Sequence, residues 1–311
     1  MTSARFVPVD RCWVCDATTR ATVHDASFDL SAYAVQDPDL AAYSGMSVPI
    51  VRCARCGFAQ PQGVPALPRY FDRMYDQRWS DDWIAHEHQA EYKDLIFDDI
   101  LSALGDRLGT GRRRLLDIGA HAGRFIALAR RAGWNAEGLE LNPKTAAFAS
   151  AASGGQVHQG NMHTFDPAGV TYDAITLTDV LEHVPEPRLV LQKARCLLAP
   201  GGWIAIKVPN APAQRIKERT RAIVRPGYKP SLADNLVHVN HFSPSSLRFA
   251  LEREEYCDVA IHAGAPELSQ NGFAGSFDRT LRLVAFRTVR ALPGGVHTPL
   301  AFNLQAYARR G

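Results

Sequence analysis

From residue 113 onward the chain alternates short apolar runs with helix-forming stretches, and few folds accept that alternation. "RRLLDIG" reads as a strand, Phe125 to Ala132 as a helix closed by Gly133, and "WNAEGLEL" as a second strand. Asn142 then caps a helix with Pro143 at its first position. "GGQVHQG" gives a short third strand and "YDAITLTDV" a fourth. "EPRLVLQKARCLLAPGG" is a helix started by Pro187 and stopped by Pro200-Gly201-Gly202, and "WIAIKVPN" is a fifth strand. This order predicts an α/β fold on a parallel sheet with right-handed crossovers.

The pattern changes after residue 210. "APAQRIKERTRAIVRPGYKP" is a basic, proline-flanked insertion. "SPSSLRFALEREEY" reads as a helix with a serine/proline start, and "CDVAIHA" as a sixth strand. Residues 277 to 291 read as a basic amphipathic helix, and "LAFNLQAYAR" as the last strand.

The first 65 or so residues carry no long helical pattern but hold two C-x-x-C pairs, Cys12/Cys15 and Cys53/Cys56. Prolines 61, 65 and 68 break the chain, and residues 70 to 104 then read as helical, with Tyr92, Leu95, Ile96, Ile100 and Leu104 near helical spacing. The expected division is a small module over 1–68 and a large α/β domain over 69–311, with an insertion at about 211–246. A length of 311 residues, 46% of them hydrophobic, suits that plan. The net charge of +3 does not by itself argue for nucleic acid or membrane as partner. No apolar signal region opens the chain and no run approaches a membrane span, so a cytoplasmic enzyme is expected.

The loop after the first strand, "LLDIGAHAGRF", decides between ligands. A dinucleotide fingerprint needs G-x-G-x-x-G, and a phosphate loop needs its lysine; D-I-G-A-H-A-G has neither. Asp117 at the mouth would repel a pyrophosphate. It suits a cationic ligand with an amino group and no phosphate, as S-adenosylmethionine is. Gly119 would make the tight turn, with Ala120 next in the loop, and Gly123 would let the following helix pack close. Glu140 ends the second strand, beside Leu141, where a carboxylate can accept hydrogen bonds from ribose hydroxyls. Asn161 is placed to meet the adenine edge, with Met162 against the ring and Thr178 at the fourth strand's end.

With "GLELNP", "YDAITLTDVLEHVPEP" and "LLAPGGWIAIKVPN", this loop resembles the class I S-adenosylmethionine-dependent methyltransferases over about three quarters of the chain. The resemblance implies a seven-stranded Rossmann-like sheet with the last strand antiparallel, and methyl transfer as the activity.

Two C-x-x-C pairs suit tetrahedral zinc bound by Cys12, Cys15, Cys53 and Cys56, with the segment between the pairs looped out. Four thiolates leave no open position, so the zinc would be structural. Cys196 and Cys257 read as small hydrophobes. The module is similar to that of nucleotide-sugar C-methyltransferases. Those enzymes continue into a C-terminal domain, and the expectation here is a chain without it. The acceptor is then a small sugar, glycan or natural product, methylated on a hydroxyl or carbon.

Holding nucleophile and methyl in line can supply roughly 7–11 kcal/mol, and a base contributes about 10²- to 10⁴-fold. His183 in "VLEHVPEP" follows the fourth strand, whose end faces the methyl in this fold. His238 in "DNLVHVNHFSPSSL" matches the active-site histidine of the sugar enzymes, although Val237 stands where they have a glutamate, and His241 lies nearby. The expectation is a base at His238, with His183 and His241 lining the same pocket and an acidic rate limb near pH 6.5. Arg215, Lys217, Arg219, Arg221, Arg225 and Lys229 read as a solvated charged helix or as a lid over an anionic acceptor. A competing reading is an RNA methyltransferase or RNA-binding protein using the zinc module and this basic loop. Asn/Asp-Pro-Pro-aromatic, usual in base-amine methyltransferases, is absent at Thr178-Asp179-Val180-Leu181, and Tyr228 alone offers stacking.

Overall fold

The computed structural model describes residues 4–27, 29–76, 80–111, 113–225, 227–228, 238–268 and 272–311. Lys229 and Val237 lie outside these. The N-terminal region forms five short strands: β1 (Phe6–Pro8), β2 (Arg20–Ser27), β3 (Ser47–Cys53), β4 (Ala59–Pro61) and β5 (Gly63–Pro65). β2, β3 and β4 make an antiparallel sheet, and β1 pairs with β5. The segment between the two cysteine pairs is therefore structured, carrying β2, the short helix α1 (Pro38–Ala41) and β3. Leu30, Tyr33, Leu40, Tyr43 and Ile50 give it a core of its own.

The helical stretch expected over 70–104 is three helices: α2 (Tyr70–Asp76), α3 (Asp81–Gln89) and α4 (Asp94–Leu108). The breaks have local causes. Ser80 caps α3 by accepting from the Trp83 amide at 3.2 Å, and Ala90 turns extended at ψ 121°. α4 buries Ile96, Ile100 and Leu104 against the large sheet, the stripe legible in its spacing.

That sheet has seven strands. β6 (Arg114–Ile118), β7 (Asn135–Glu140), β8 (Val157–Gln159), β9 (Tyr172–Thr178) and β10 (Leu198–Pro209) are parallel. β11 (Tyr256–Ala263) and β12 (Asn303–Arg310) complete it in the order β11-β12-β10-β9-β6-β7-β8, with β12 antiparallel to both neighbours. The connecting helices are α5 (Arg124–Arg131), α6 (Pro143–Ser153), α7 (Pro187–Leu197), α8 (Ala211–Val224), α9 (Pro244–Arg253) and α10 (Gly272–Ala291). Asn142 caps α6, accepting from the Thr145 amide at 3.0 Å with Pro143 at the first position. β10 begins earlier than expected, at Leu198, because its pairing with β9 shifts register across Pro200–Gly202.

The cysteine module shares a core with the sheet. Cys12, Val14, Cys15, Cys53, Cys56 and Phe58 pack in one cluster with Phe242, Leu247 and Leu251. Asp16 takes Arg188 at 2.7 Å and Arg253 at 2.6 Å, tying the first cysteine turn to α7 and α9.

Candidate active site

The C-terminal ends of β6, β7 and β9 open into a cavity of about 750 Å³. Asp117, Gly119, Ala120, Glu140, Leu141, Asn161, Met162, Thr178 and His183 all line it. Strands that end side by side in a parallel sheet deliver their following loops to one crevice, and residues far apart in sequence meet there.

The glycine loop is held to β7: the amides of Gly119 and Ala120 both donate to the Leu139 carbonyl, at 2.8 and 3.1 Å. Gly119 has φ +73°, and a Cβ there would stand 2.4 Å from Val180 Cγ2, so only glycine fits. Gly123 does not line the cavity. It stands at the start of α5 at φ +78°, where a Cβ would press 3.0 Å from Ala149 Cβ on α6. His121 (φ 49°) and Asp179 (φ 56°) are left-handed non-glycine residues at the same mouth, strain held at the site by its surroundings.

Asp117 is 4% exposed and accepts from Thr176 Oγ1 at 2.7 Å. Burial pushes its pKa up to about 7; the Thr176 bond works against this and the Glu140 charge with it. Glu140 accepts from the His121 amide at 2.9 Å and the Asn142 amide at 3.0 Å, which orient the carboxylate, and burial raises its pKa. Thr178 Oγ1 is buried with no hydrogen-bond partner among the described residues. A neutral, orphaned hydroxyl, one buried and one half-buried carboxylate and a loop that tolerates no Cβ fit a polar, cationic ligand with hydroxyl groups.

The cavity is also lined by Val64, Leu67, Tyr70 and Phe71 from the N-terminal region and α2, and by Trp83, whose ring meets His121 at 5.1 Å, and Tyr92. Bordering the same cavity is a charge network that sequence reasoning did not find. Asp179 is paired with Lys93 at 2.8 Å and with Lys207. Lys207 is 3% exposed. The two ammonium groups hold the Asp179 carboxyl well below the usual carboxylate range against the cost of burial, and its charge raises Lys93. One signal was present: a lysine inside the apolar run "WIAIKVPN" must find a partner when buried. Nothing in the sequence pointed to Lys93.

The three histidines do not meet in one place. His183 lines the cavity, and His238 stacks behind it, edge to face, with ring centroids 4.6 Å apart. The loop carrying His238 is clamped to β9's exit: Val239 and Asn240 amides donate to the Glu182 carbonyl at 2.8 and 3.0 Å. Burial and the neighbouring imidazoles push His238 well below its ordinary pKa. His241 instead faces the N-terminal sheet. Its backbone pairs with Ala59, its ring meets His24 at 6.0 Å, and it lines a separate small cavity with Arg52 and Arg215. Burial brings its pKa down to about 3.

Among the described residues, two groups of side chains could hold a metal ion: Cys12, Cys15, Cys53 and Cys56, and Glu182, His183 and His238. The four sulfurs lie within 4.8 Å of one another, with Cys12–Cys56 at 3.6 Å and Cys15–Cys53 at 3.4 Å, all buried. The basic segment is α8, with exposed Arg225 just beyond its end and Lys229 outside the described residues; Glu218 pairs with Lys217 and Arg221.

A family model described as a methyltransferase domain matches residues 85–259, more than half of the chain. Ubiquinone biosynthesis O-methyltransferase of Xanthomonas axonopodis pv. citri (strain 306) is 31% identical over 116 residues, 35% of this chain and 48% of that protein. The enzyme of the same description from Bordetella avium (strain 197N) is 31% identical over 104 residues, 32% of this chain and 43% of that protein. The chain thus spans about half the length of these curated relatives or less. Among solved structures, the plantazolicin methyltransferase BamL, in complex with a triazolic desmethylPZN analog and SAH, aligns over 77% of this chain and 94% of that one, at TM-score 0.52 and 12% identity. That likeness concerns the fold. Among the described residues no helix is long and apolar enough to cross a membrane.

Proposed function

The chain belongs to the methyltransferase domain family, and on that premise we propose that it transfers a methyl group from S-adenosylmethionine to a hydroxyl or carbon of a small-molecule acceptor. The observation that carries this reading is the single cavity in which Asp117, Glu140, Asn161 and His183 meet. S-adenosylmethionine supplies an electrophilic methyl group when bound. Asp117 would face its amino group, and Glu140 its ribose hydroxyls, with Asn161 and Met162 at the adenine. The apolar wall of Leu67, Tyr70 and Phe71 would exclude water and seat the acceptor. O-methylation, as named for the ubiquinone-biosynthesis relatives, is the reaction type favoured over C-methylation. The base is a histidine of the His183–His238 pair; His183 touches the cavity and His238 supports it.

The four buried cysteines fit a structural zinc. Thiolates about 2.3 Å from a tetrahedral ion would stand about 3.8 Å apart, close to the spacing found. The metal would pin module 1–68 to α7 and α9 through the shared core. Calorimetry with S-adenosylmethionine and NADH, followed by mass spectrometry of hydroxylated acceptors incubated with the protein, tests the reading. Binding of the first cofactor alone and a product heavier by one methyl group are expected. NADH binding without S-adenosylmethionine binding would overturn it.

A further inference from the structure

Behind His183 the cavity wall holds a set of ligand atoms that proton abstraction alone does not account for. The carboxylate of Glu182 and the imidazoles of His183 and His238 offer three donor atoms, all within 4.8 Å of one another. Glu182 is 1% exposed, and its Oε2 is buried with no hydrogen-bond partner among the described residues. Leaving a buried carboxylate oxygen unpaired is costly, and a cation held jointly with the two imidazoles would satisfy it. The nearby lysines do not serve, because Lys93 and Lys207 are both turned to Asp179. The three donors are also held in place. The Val239 and Asn240 amides fasten to the Glu182 carbonyl, and Asn240 Nδ2 donates to the Leu181 carbonyl at 2.7 Å and the Val184 carbonyl at 2.5 Å. Two segments distant in sequence are thereby fixed against each other before any ligand arrives.

We propose that Glu182, His183 and His238 form a divalent-cation site in the wall of the acceptor cavity, with an oxygen of the acceptor taking one of its open positions. Two imidazoles and one carboxylate suit first-row divalent ions and leave coordination positions free. His183, the donor that lines the cavity, puts those positions within the acceptor's reach. The inference rests on the methyl-transfer reading and changes one step of it. With the cation bound, both histidines are ligands. The acceptor's O–H bond breaks on the cation, its proton passes to water, and the oxygen attacks the methyl carbon as the carbon–sulfur bond breaks. The cation keeps its charge throughout.

Manganese(II) is the probe, since four thiolates prefer zinc and a His/carboxylate set accepts manganese. The full-length protein, stripped of loosely held metal, is titrated with MnCl2 and followed by electron paramagnetic resonance, with S-adenosylmethionine binding measured in parallel by calorimetry. One manganese per chain is expected. Glu182→Gln and His238→Ala should each weaken it about tenfold or more while cofactor affinity stays within twofold. Normal cofactor binding with no manganese bound at millimolar concentration would overturn the cation site alone, as would manganese affinity unchanged in both variants. Absence of cofactor binding would overturn the methyl-transfer reading and the cation's role with it.

Discussion

The rings of His183 and His238 meet edge to face with centroids 4.6 Å apart, and only the first of them reaches the cavity. Burial disfavours the charged form of His238, and the neighbouring imidazole adds to the effect, so His238 stays neutral at physiological pH. Replacing either residue with alanine should lower turnover by about 10²-fold with S-adenosylmethionine binding intact. The acidic limb of the rate profile should lie below the pH 6.5 expected of an unperturbed histidine. His241, against His24, should tolerate substitution by asparagine with little change in that profile. Steady-state kinetics across pH 4.5 to 9 check all three. A limb at or above pH 6.5 that both histidine variants retain would assign the titration to another group.

Asp179 is the counter-charge for two lysines at once. Asp179→Asn should cost about 3–5 kcal/mol, because it removes the carboxylate shared by half-buried Lys93 and buried Lys207 and leaves Glu267, 4.0 Å from Lys207, as the nearest counter-charge. Its pKa is lowered in the folded chain, so its contribution is present above the unfolded value near 3.8 and fades only in strong acid. Lys207→Met in the Asp179→Asn background should recover part of the loss. Urea unfolding of the single and double variants measures this, and additive losses would remove the coupling.

Asp117 carries the opposite sign. Its folded pKa of about 7 stands above the ordinary 3.8, so the folded chain holds this proton more tightly than the unfolded chain. The stability tied to it is complete below about pH 3.8 and is lost as pH rises through about 7. Glu182, with a pKa pushed up to about 8, acts in the same sense. The melting temperature should therefore fall between pH 6 and 8.5 in the ligand-free protein, and Asp117→Asn should flatten the fall. A cationic amino group beside Asp117 favours its charged form, so cofactor binding near pH 6.5 should release a proton. Calorimetry in two buffers of different ionisation enthalpy reads that release directly; equal apparent enthalpies would argue against it.

Glu140→Ala should weaken cofactor binding by about 1.5–3 kcal/mol, the worth of a charge-assisted hydrogen bond. Gly119→Ala should weaken it too, for a different reason: the new Cβ would displace Val180 from the cavity floor. A Gly119→Ala variant that binds normally would show that the loop can shift.

What the sequence disclosed was local or periodic. Asp117, Glu140 and Thr178 each stand at or next to the end of a parallel strand, and strand order alone carries them to one crevice. Gly119 and Gly123 were legible because a tight turn and a close helix crossing both demand them. Lys93 lies on no such pattern. It meets Asp179 only because the start of α4 packs beside the end of β9. His241 follows His238 closely in sequence yet turns to the other side, because its backbone bridges to Ala59. No spacing rule distinguishes the two. The cysteine pairs were legible as a cluster, while their fusion to the α7–α9 side of the sheet depends on Asp16, Arg188 and Arg253.

That fusion would make the loss of a zinc ion held by the four cysteines more than a local event. Thiolates brought together without an ion repel one another, and the Cys12 and Cys56 sulfurs, 3.6 Å apart, cannot both be charged cheaply. A zinc ion bound there would remove that conflict; in small modules zinc contributes roughly 10–16 kcal/mol of apparent binding energy. The four cysteines share a core with Leu247 and Leu251 of α9. A chelator strong enough to strip zinc should therefore lower the melting temperature of the whole chain, not only unfold the first residues. Because Val64 and Leu67 line the cavity, acceptor binding should fail before S-adenosylmethionine binding does. Cys12→Ser/Cys53→Ser should reproduce both effects. Metal analysis should give one zinc per chain in the wild type and none in the variant. A metal-free variant with an unchanged melting curve would show that hydrophobic packing alone holds the module in place.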